Sequence, residues 1–221
     1  MNVRRRAACA LFAFAALAAS VHAAPASAAA PSAPKTVALL DTLSKDPTKL
    51  YDYGWGPAIN GPLWRLRGIP GRGPSQYWAV AFTPAQDIDL TQIVAPLLHD
   101  DKKDLETVGL AIYDDANGVP GQRLHTWHNL GTQNQLTADN VGRYCCSVVV
   151  KDAKRGAVPL TGGTTYWLVA LTTDRSRFQG LWYYNSTGAT GTSAYWNDIN
   201  NAWTPQHDVL LPAVGIYGIP R

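Results

Sequence analysis

The sequence predicts an all-β protein with a single β-sandwich domain, and three observations support this fold class. Short segments with the two-residue alternation of a half-buried strand recur along the chain, as in Gln76–Thr83 and Thr165–Thr172. Gly, Pro, Asn and Asp residues that favour turns separate these segments. The chain has no amphipathic helix pattern longer than two turns. We therefore predict two packed sheets in a jelly-roll-like arrangement, with a closed barrel as the alternative.

The N-terminal residues predict export. Three arginines, Arg4 to Arg6, precede the apolar run Ala7–Ala18, and a small-x-small cleavage pattern ends at Ala23. The apolar run is shorter than the roughly 20 residues that a membrane-spanning helix needs. Residues 1–23 are thus predicted to be a signal peptide cleaved near Ala23, and the mature chain is predicted to lack a membrane span and to be secreted or periplasmic.

The next residues predict a short linker ahead of the domain. Residues 24–35 consist almost entirely of Ala, Pro and Ser, a composition that buries too little apolar surface to offset its ordering entropy. We interpret them as a flexible leader. Residues 36–221 then form the β-sandwich domain, which is long enough for a sizeable core.

The charge distribution argues against a nucleic-acid partner. The formal net charge is +3, and the three arginines of the predicted signal peptide account for it, so the mature chain is near neutral (3 − 3 = 0). Lys102 and Lys103 lie among Asp100, Asp101 and Asp104, and no basic stripe is available to neutralise phosphates.

Strand-like segments follow one another through the domain. The apolar run Ile88–Leu98 contains Pro96, which indicates an edge or a bulge. The residues from Tyr51 to Trp64 and from Gly68 to Gly73 are predicted to be loops, and Asn197–Asn201 a hairpin loop. The predicted strands are Thr36–Leu43, Gln76–Thr83, Ile88–Leu98, Val108–Tyr113, Leu124–Leu130, Arg143–Lys151, Val158–Leu160, Thr165–Thr172, Phe178–Asn185, Ser193–Asn197, Ala202–Pro205 and Leu210–Tyr217.

The segment Val108–Leu124 predicts a strand, a tight turn and a second strand. Asp114, Asp115 and the Asn117-Gly118 pair tolerate turn conformations, and Pro120-Gly121 suits the central positions of a type II turn. The spacing of oxygen ligands does not match an EF-hand loop. A calcium site that combines Asp114 and Asp115 with a distant carboxylate stays open as the alternative to a turn.

Other candidate metal and thiol sites receive weaker support. Cys145 and Cys146 are adjacent, so a disulfide between them requires a strained ring; a vicinal disulfide and two free thiols are both left open. His125 and His128 are three residues apart, which on a strand places them on opposite faces. We therefore predict no metal site.

The chain lacks the motifs of common hydrolytic chemistry. Glu106 is the single glutamate, and most aspartates lie in predicted turns, so no pair of catalytic acids can be identified. No Gly-x-Ser-x-Gly elbow, phosphate loop or His-Glu-x-x-His motif occurs. The sequence predicts no catalytic residue and no cofactor.

The order of several motifs resembles a known family. These motifs are Trp78-Ala-Val-Ala-Phe-Thr83, Leu110-Ala-Ile-Tyr-Asp-Asp-Ala-Asn-Gly-Val-Pro-Gly121, Leu160-Thr-Gly-Gly-Thr-Thr-Tyr-Trp167 and Ala213-Val-Gly-Ile-Tyr-Gly218. Together they resemble the choice-of-anchor R domain, a β-sandwich domain of exported bacterial surface proteins, over most of Tyr77–Gly218. The resemblance implies a non-catalytic surface domain. It departs from the family at the C-terminus, where the usual sorting anchor is not found.

Aromatic residues suggest where a ligand would bind. Eight Trp and ten Tyr stand against four Phe, and Trp and Tyr combine an apolar face with a polar tip, which suits wet binding surfaces and sugar rings. The candidate ligand-binding residues are Trp182, Tyr184, Trp196 and Trp203, although part of this cluster is expected in the core. The sequence therefore predicts an exported binding or adhesion domain for a glycan or another cell-surface component; the alternative is a secreted glycosidase-like hydrolase with unidentified acids.

Overall fold

Two antiparallel sheets pack face to face and form a β-sandwich in a computed structural model of the chain. The structure describes residues 35–46, 49–52, 55–62, 75–99, 108–130, 148–151, 158–172 and 178–221, with only the backbone of residues 99, 129 and 148–151. All of these residues fall in one compact unit, Pro34–Arg221. The predicted signal peptide, most of the leader and the pair Cys145-Cys146 lie outside the described residues.

Fourteen strands and no helix lie in the described ranges. The smaller sheet has the order β1-β14-β4-β8, with β9 also paired to β4. Its strands are β1 (Val37–Asp41), β4 (Ile88–Ala95), β8 (Val148–Lys151), β9 (Val158–Leu160) and β14 (Gly215–Pro220).

The larger sheet has the order β5-β11-β2-β3-β10-β6-β7, and a further hairpin, β12–β13, joins β3 through β12. Its strands are β2 (Ala58–Asn60), β3 (Gln76–Phe82), β5 (Leu97–His99), β6 (Val108–Asp115), β7 (Pro120–Leu130), β10 (Tyr166–Leu171), β11 (Gln179–Trp182), β12 (Thr190–Asn197) and β13 (Ala202–Leu210). The predicted β-sandwich is thus confirmed, whereas the jelly-roll connectivity stays a prediction.

The core lies between the sheets and follows the alternation of the strands. Val80, Leu168 and Ile112 are direct cross-strand partners on β3, β10 and β6, and all three are fully buried. Ile93 and Ile216 of the smaller sheet belong to the same buried cluster. Each such side chain stabilises the fold by roughly 1.5–3 kcal/mol when it is removed from water.

Pro96 separates two strands that belong to different sheets. The run Ile88–Leu98, predicted as one strand, divides into β4 of the smaller sheet and β5 of the larger one. Because proline has no N–H to donate, a ladder cannot continue through it, although the Pro96 carbonyl still accepts a bond from the Tyr183 N–H at 3.1 Å. Pro96 therefore marks the crossing of the chain between the two sheets.

The hairpin β6–β7 turns at Asn117-Gly118, two of the residues named from the sequence as tolerating turn conformations. Asn117 and Gly118 have φ values of 59° and 84°, and the Ala116 N–H donates to the Val119 carbonyl at 2.8 Å. Positive φ at both central residues is the pattern of a type I′ turn, which Asn-Gly favours because its twist matches the flanking strands. The type II turn predicted at Pro120-Gly121 is wrong, since Pro120 already begins β7.

The hairpin loop Asn197–Asn201 is confirmed, and one predicted loop contains a strand. The side-chain oxygen of Asn197 accepts the Ile199 N–H at 2.8 Å, and the backbone carbonyl of Asn197 accepts the Asn201 N–H at 2.9 Å. These bonds close the turn between β12 and β13. Within Tyr51–Trp64, however, Ala58–Asn60 forms β2. Nowhere in the described part of the chain does a helix reach the length and apolar composition of a membrane-spanning one.

Candidate functional site

The outer face of the larger sheet, which points away from the sandwich core, carries a row of aromatic side chains. Trp196 on β12 is the direct partner of Tyr77 on β3 and of Trp203 on β13, so the three side chains project from one face. The two indoles meet edge to face, with ring centroids 5.7 Å apart and an interplanar angle of 62°. All three residues are half-buried. We call Tyr77, Trp196 and Trp203 the aromatic row.

A polar cleft lies at the opposite end of the same face. Its volume is about 440 Å³. The side chains that line it lie on five strands or directly beside them: Ala81 and Thr83 at the end of β3, Thr165 and Trp167 at the start of β10, Asp115 on β6, Thr192 on β12 and His207 on β13. We call this opening the polar cleft.

Hydrogen bonds order the polar groups of the cleft in pairs. The hydroxyls of Thr83 and Thr165 are 3.0 Å apart. The Thr192 hydroxyl lies 3.4 Å from Nδ1 of His207, a long hydrogen bond. Each of these hydroxyls and the imidazole keeps a further donor or acceptor position for a ligand.

Asp115 connects the cleft to the type I′ turn beneath it. Its Oδ1 accepts the indole N–H of Trp167 at 2.8 Å, and its Oδ2 accepts the backbone N–H of Gly118 at 3.1 Å. Since each carboxylate oxygen can accept more than one bond, Asp115 is held in place without being saturated. Trp167 itself is only 1% exposed and therefore supports the cleft from below.

Small side chains join the cleft to the aromatic row. Ala194, Ala79, Val169 and Ala111 are successive cross-strand partners on β12, β3, β10 and β6, and all are buried. Aromatic side chains, including Tyr77, pack against this cluster. We call the row of small buried side chains the outer floor. Thr192 and Trp196 are four residues apart along β12, so the two ends of the face lie roughly 13 Å from each other at the usual strand rise.

The described residues of this face bring together hydrogen-bonding and aromatic groups. A nucleophile needs a base within close hydrogen-bond reach, whereas the Thr192–His207 contact is long, and Asp115 is already bonded to Trp167 and Gly118. Among the described residues, no group of three or more His, Cys, Asp or Glu side chains is placed to hold a metal ion. The arrangement suits recognition of a polar ligand through hydroxyls, a carboxylate and aromatic faces.

The predicted binding residues separate into three places. Trp196 and Trp203 lie together in the aromatic row. Trp182 is wholly buried, and its indole N–H donates to the Ala213 carbonyl at 2.9 Å, so including it in a ligand surface was wrong. Tyr184 is half-buried and lies elsewhere, with its backbone bonded to Asp52 and Trp55. Trp182 and Tyr184 are only two residues apart, but β11 ends at Trp182, so the alternation of the strand does not extend to Tyr184.

The acidic residues Asp114 and Asp115 and the histidine pair, His125 and His128, all lie in the β6–β7 hairpin. Asp114 accepts the backbone N–H of Gln122. Asp115 accepts the backbone N–H of Gly118 and the indole N–H of Trp167, so both carboxylates bond within the hairpin or to the neighbouring strand β10. The His125 and Trp127 rings are tilted by 58° with their centroids 4.5 Å apart, while His128 is exposed. Both histidines lie on β7, whose pairing with β6 is irregular between Trp127 and Leu130, so their placement on opposite faces stays a prediction.

Several residues of this face were not identified from the sequence. Tyr77 belongs to a strand whose alternation was recognised, but its neighbour Trp196 follows only from the pairing of β3 with β12. The polar cleft combines residues from distant segments, and no local motif marks them. The one available signal was the row of Thr residues at the ends of predicted strands, at Thr83 and Thr165.

Comparison of the chain with protein-family models, with curated proteins and with solved structures found no match. The resemblance to the choice-of-anchor R domain therefore stays a prediction from the sequence.

Proposed function

We propose that this protein is an exported, non-catalytic binding domain that recognises carbohydrate through the outer face of its larger sheet. The observation that supports this most directly is the register that places Trp203, Trp196 and Tyr77 in one row on the face that also holds the polar cleft. Aromatic side chains can stack on the apolar faces of sugar rings, and hydroxyl, carboxylate and imidazole groups can bond sugar hydroxyls. The signal-peptide pattern of the sequence supports export.

The length of the face favours an oligosaccharide over a single sugar. The cleft and the aromatic row are roughly 13 Å apart along β12, and a ligand that contacts both must span that distance. The residues of both ends lie on strands or directly beside them, which limits how far their spacing can change. The ligand class that fits best is thus a chain of sugar units on a glycan or cell surface.

A glycan array tests the proposal. The purified protein should bind a defined set of oligosaccharides, and the double variant Trp196→Ala/Trp203→Ala should lose at least about 10-fold in affinity, the effect of removing about 1.4 kcal/mol of contact energy. Thr165→Val, which removes one hydroxyl of the cleft, should weaken binding to a smaller extent. Leu124→Ala, on exposed β7, is the matched surface control and should bind as the wild type.

Two results would count against the proposal. Unchanged binding by the double variant, with a melting temperature close to that of the wild type, would remove the aromatic row from the site. Release of reducing sugar from any bound oligosaccharide by the wild-type protein would instead support the alternative of a glycosidase-like hydrolase.

A further inference from the structure

Trp55 is a tryptophan that the structure leaves in solvent, away from the outer face of the larger sheet. It is 77% exposed, the highest value among the exposed large apolar residues of the described chain. A tryptophan carries more apolar surface than any other side chain, so exposing it gives up a large hydrophobic stabilisation. The aromatic row and the polar cleft do not include this residue.

The backbone that presents Trp55 is hydrogen-bonded to β11 and to the residues that follow it. The Trp55 carbonyl accepts the Tyr184 N–H at 3.0 Å, and two residues later the Pro57 carbonyl accepts the Trp182 N–H at 2.9 Å. Between them, a Cβ at Gly56 would overlap the backbone carbonyl of Trp182, so the segment lies directly against β11. Pro57 is buried and has a restricted φ. The exposed indole therefore projects from a rigid segment.

A rigid mount favours binding, because less conformational entropy is lost when a ligand covers the side chain. It also separates Trp55 from ordinary exposed residues on mobile loops. Tyr184, a candidate ligand-binding residue, is its hydrogen-bonded backbone partner. An exposed indole on a hydrogen-bonded backbone segment is more typical of a ligand contact than of a residue that stabilises the core.

The surroundings of Trp55 favour a sugar ring over a protein partner. The other exposed large apolar residues of the described chain lie on other elements: Leu124 on β7, Ile199 in the β12–β13 loop and Leu210 at the end of β13. A protein interface usually has an apolar centre built from several residues, whereas Trp55 is a single exposed ring among the described residues of its own segment. A single ring presented among polar neighbours, such as exposed Asp52, matches the size of one sugar unit.

We propose that Trp55 is a second carbohydrate contact, which stacks on a sugar ring of the same polysaccharide that binds the outer face. This inference rests on the proposed function and adds a second point of attachment to it. Two linked contacts raise the affinity for a long glycan through effective concentration, while an oligosaccharide too short to reach both gains nothing. Trp55 should therefore contribute to polysaccharide binding more than to oligosaccharide binding.

The experiment uses the full chain with named probes: insoluble cellulose, chitin, xylan and peptidoglycan in sedimentation assays, and cellohexaose and chitohexaose in calorimetry. Trp55→Ala should lower the affinity for the bound polysaccharide by at least about 10-fold and change hexasaccharide binding by less than about 2-fold. Trp196→Ala/Trp203→Ala should lower both. Because the bonds around Trp55 are made by its backbone, Trp55→Ala is expected to fold, and Trp55→Phe should restore part of the affinity.

Fluorescence gives a second readout at this residue. The difference in emission between the wild type and Trp55→Phe isolates the exposed indole, and polysaccharide should protect that signal from quenching by acrylamide. The inference would be overturned if Trp55→Ala bound polysaccharide with unchanged affinity, or if polysaccharide did not protect the Trp55 emission of the wild type from quenching.

The outcomes also separate this inference from the proposed function. If Trp55→Ala weakens binding and the double variant of the aromatic row does not, Trp55 is a binding contact and the outer face is not the main site. If only the double variant weakens binding, the proposed function stands and the second contact is wrong. If the wild-type protein bound none of the four polysaccharides and neither hexasaccharide, that result would count against both the proposed function and the Trp55 contact.

Discussion

The two faces of the larger sheet use the same strands in different ways. The inner face places Val80, Leu168 and Ile112 side by side and packs them against the smaller sheet. One residue along each strand, the outer face places small side chains such as Ala79 and Ala111 in the corresponding row. The inner row consists of side chains large enough to fill the core between the sheets. The outer row consists of small side chains, with larger aromatic side chains beside it. Packing between the two sheets therefore accounts for the residues of the inner face, whereas it accounts for those of the outer face only in part.

Two tryptophans of the C-terminal third show the same contrast. Trp182 is fully buried between the sheets with its N–H bonded, while Trp203 is half-buried and meets Trp196 on the outer face. Both belong to the aromatic cluster of the sequence, and only the fold separates their roles.

Trp182→Ala should destabilise the fold far more than Trp203→Ala. Removal of a fully buried large aromatic side chain costs roughly 3–5 kcal/mol, and the Ala213 carbonyl also loses its donor. Trp203→Ala removes a half-buried ring and should cost about 1 kcal/mol. Urea denaturation of both variants measures the difference. Equal losses would mean that the outer face is as firmly packed as the core, and the contrast between the faces would fail.

Ala79→Leu tests how much space the outer floor allows. Ala79 is fully buried, so added methylenes should overpack the floor and cost roughly 1–3 kcal/mol. Ala202→Leu, at an exposed position on β13, is the matched control and should change stability by less than about 0.5 kcal/mol. If Ala79→Leu were as stable as the wild type, the floor would have free space above it, and its small residues would mark a deeper groove.

Local patterns in the sequence predicted most of the strands. The alternation in Gln76–Thr83 and Thr165–Thr172 identified β3 and β10, and the Asn-Gly pair stood at the centre of the β6–β7 turn. These signals are local, because they depend on period and on turn chemistry within a few residues. Pro120-Gly121 also matches a turn pattern, and only the pairing of β6 with β7 decides between the two positions.

The site depends on pairing between distant segments and was predicted only in part. Trp196 and Trp203 were selected from composition, and their shared face follows from one hairpin. Tyr77 joins them only because β12 pairs with β3, a register that no local pattern specifies. Trp182 was misassigned for the same reason, since composition does not show which face of β11 turns toward the other sheet.

The pH dependence of stability should distinguish a desolvated outer face from a hydrated one. Burial raises the pKa of Tyr113, on the outer face of β6, above its usual value of 10, and the nearby Arg123 guanidinium opposes that rise. The folded protein therefore keeps the phenol proton to higher pH than the unfolded chain. This contribution to stability is complete below about pH 10 and is lost as pH rises through the folded pKa.

Tyr113→Phe should remove that part of the alkaline loss, so that its stability falls less steeply than that of the wild type above about pH 10. Urea midpoints across the alkaline range measure the slope. Tyr217, on the outer face of the smaller sheet, gives a comparison, because burial, followed by the Asp41 carboxylate, raises its pKa to about 12. Tyr217→Phe should have the same sign over a window from about pH 10 to about pH 12. Parallel curves for the wild type and Tyr113→Phe would indicate that water reaches the outer face at Tyr113.

The smallest expected effect compares adjacent residues that point to opposite faces of β12. Ser193 faces the core, is fully buried, and has a hydroxyl without a hydrogen-bond partner; Thr192 faces the polar cleft and bonds His207. A buried hydroxyl without a partner destabilises the fold, so Ser193→Ala should leave stability unchanged or raise it by up to about 1 kcal/mol. Thr192→Val should change stability by less than about 0.5 kcal/mol and weaken ligand binding.

Thermal and urea melts of this pair, together with the glycan array, measure stability and binding in the same two proteins. A loss of more than about 1 kcal/mol in Ser193→Ala would mean that its hydroxyl is bonded in solution, and the inner face would then hold a polar site of its own. The expected result is the reverse: the inner residue affects only stability and the outer residue only binding. Because the two positions share one strand and one backbone environment, that separation would assign folding to one face of the sheet and recognition to the other.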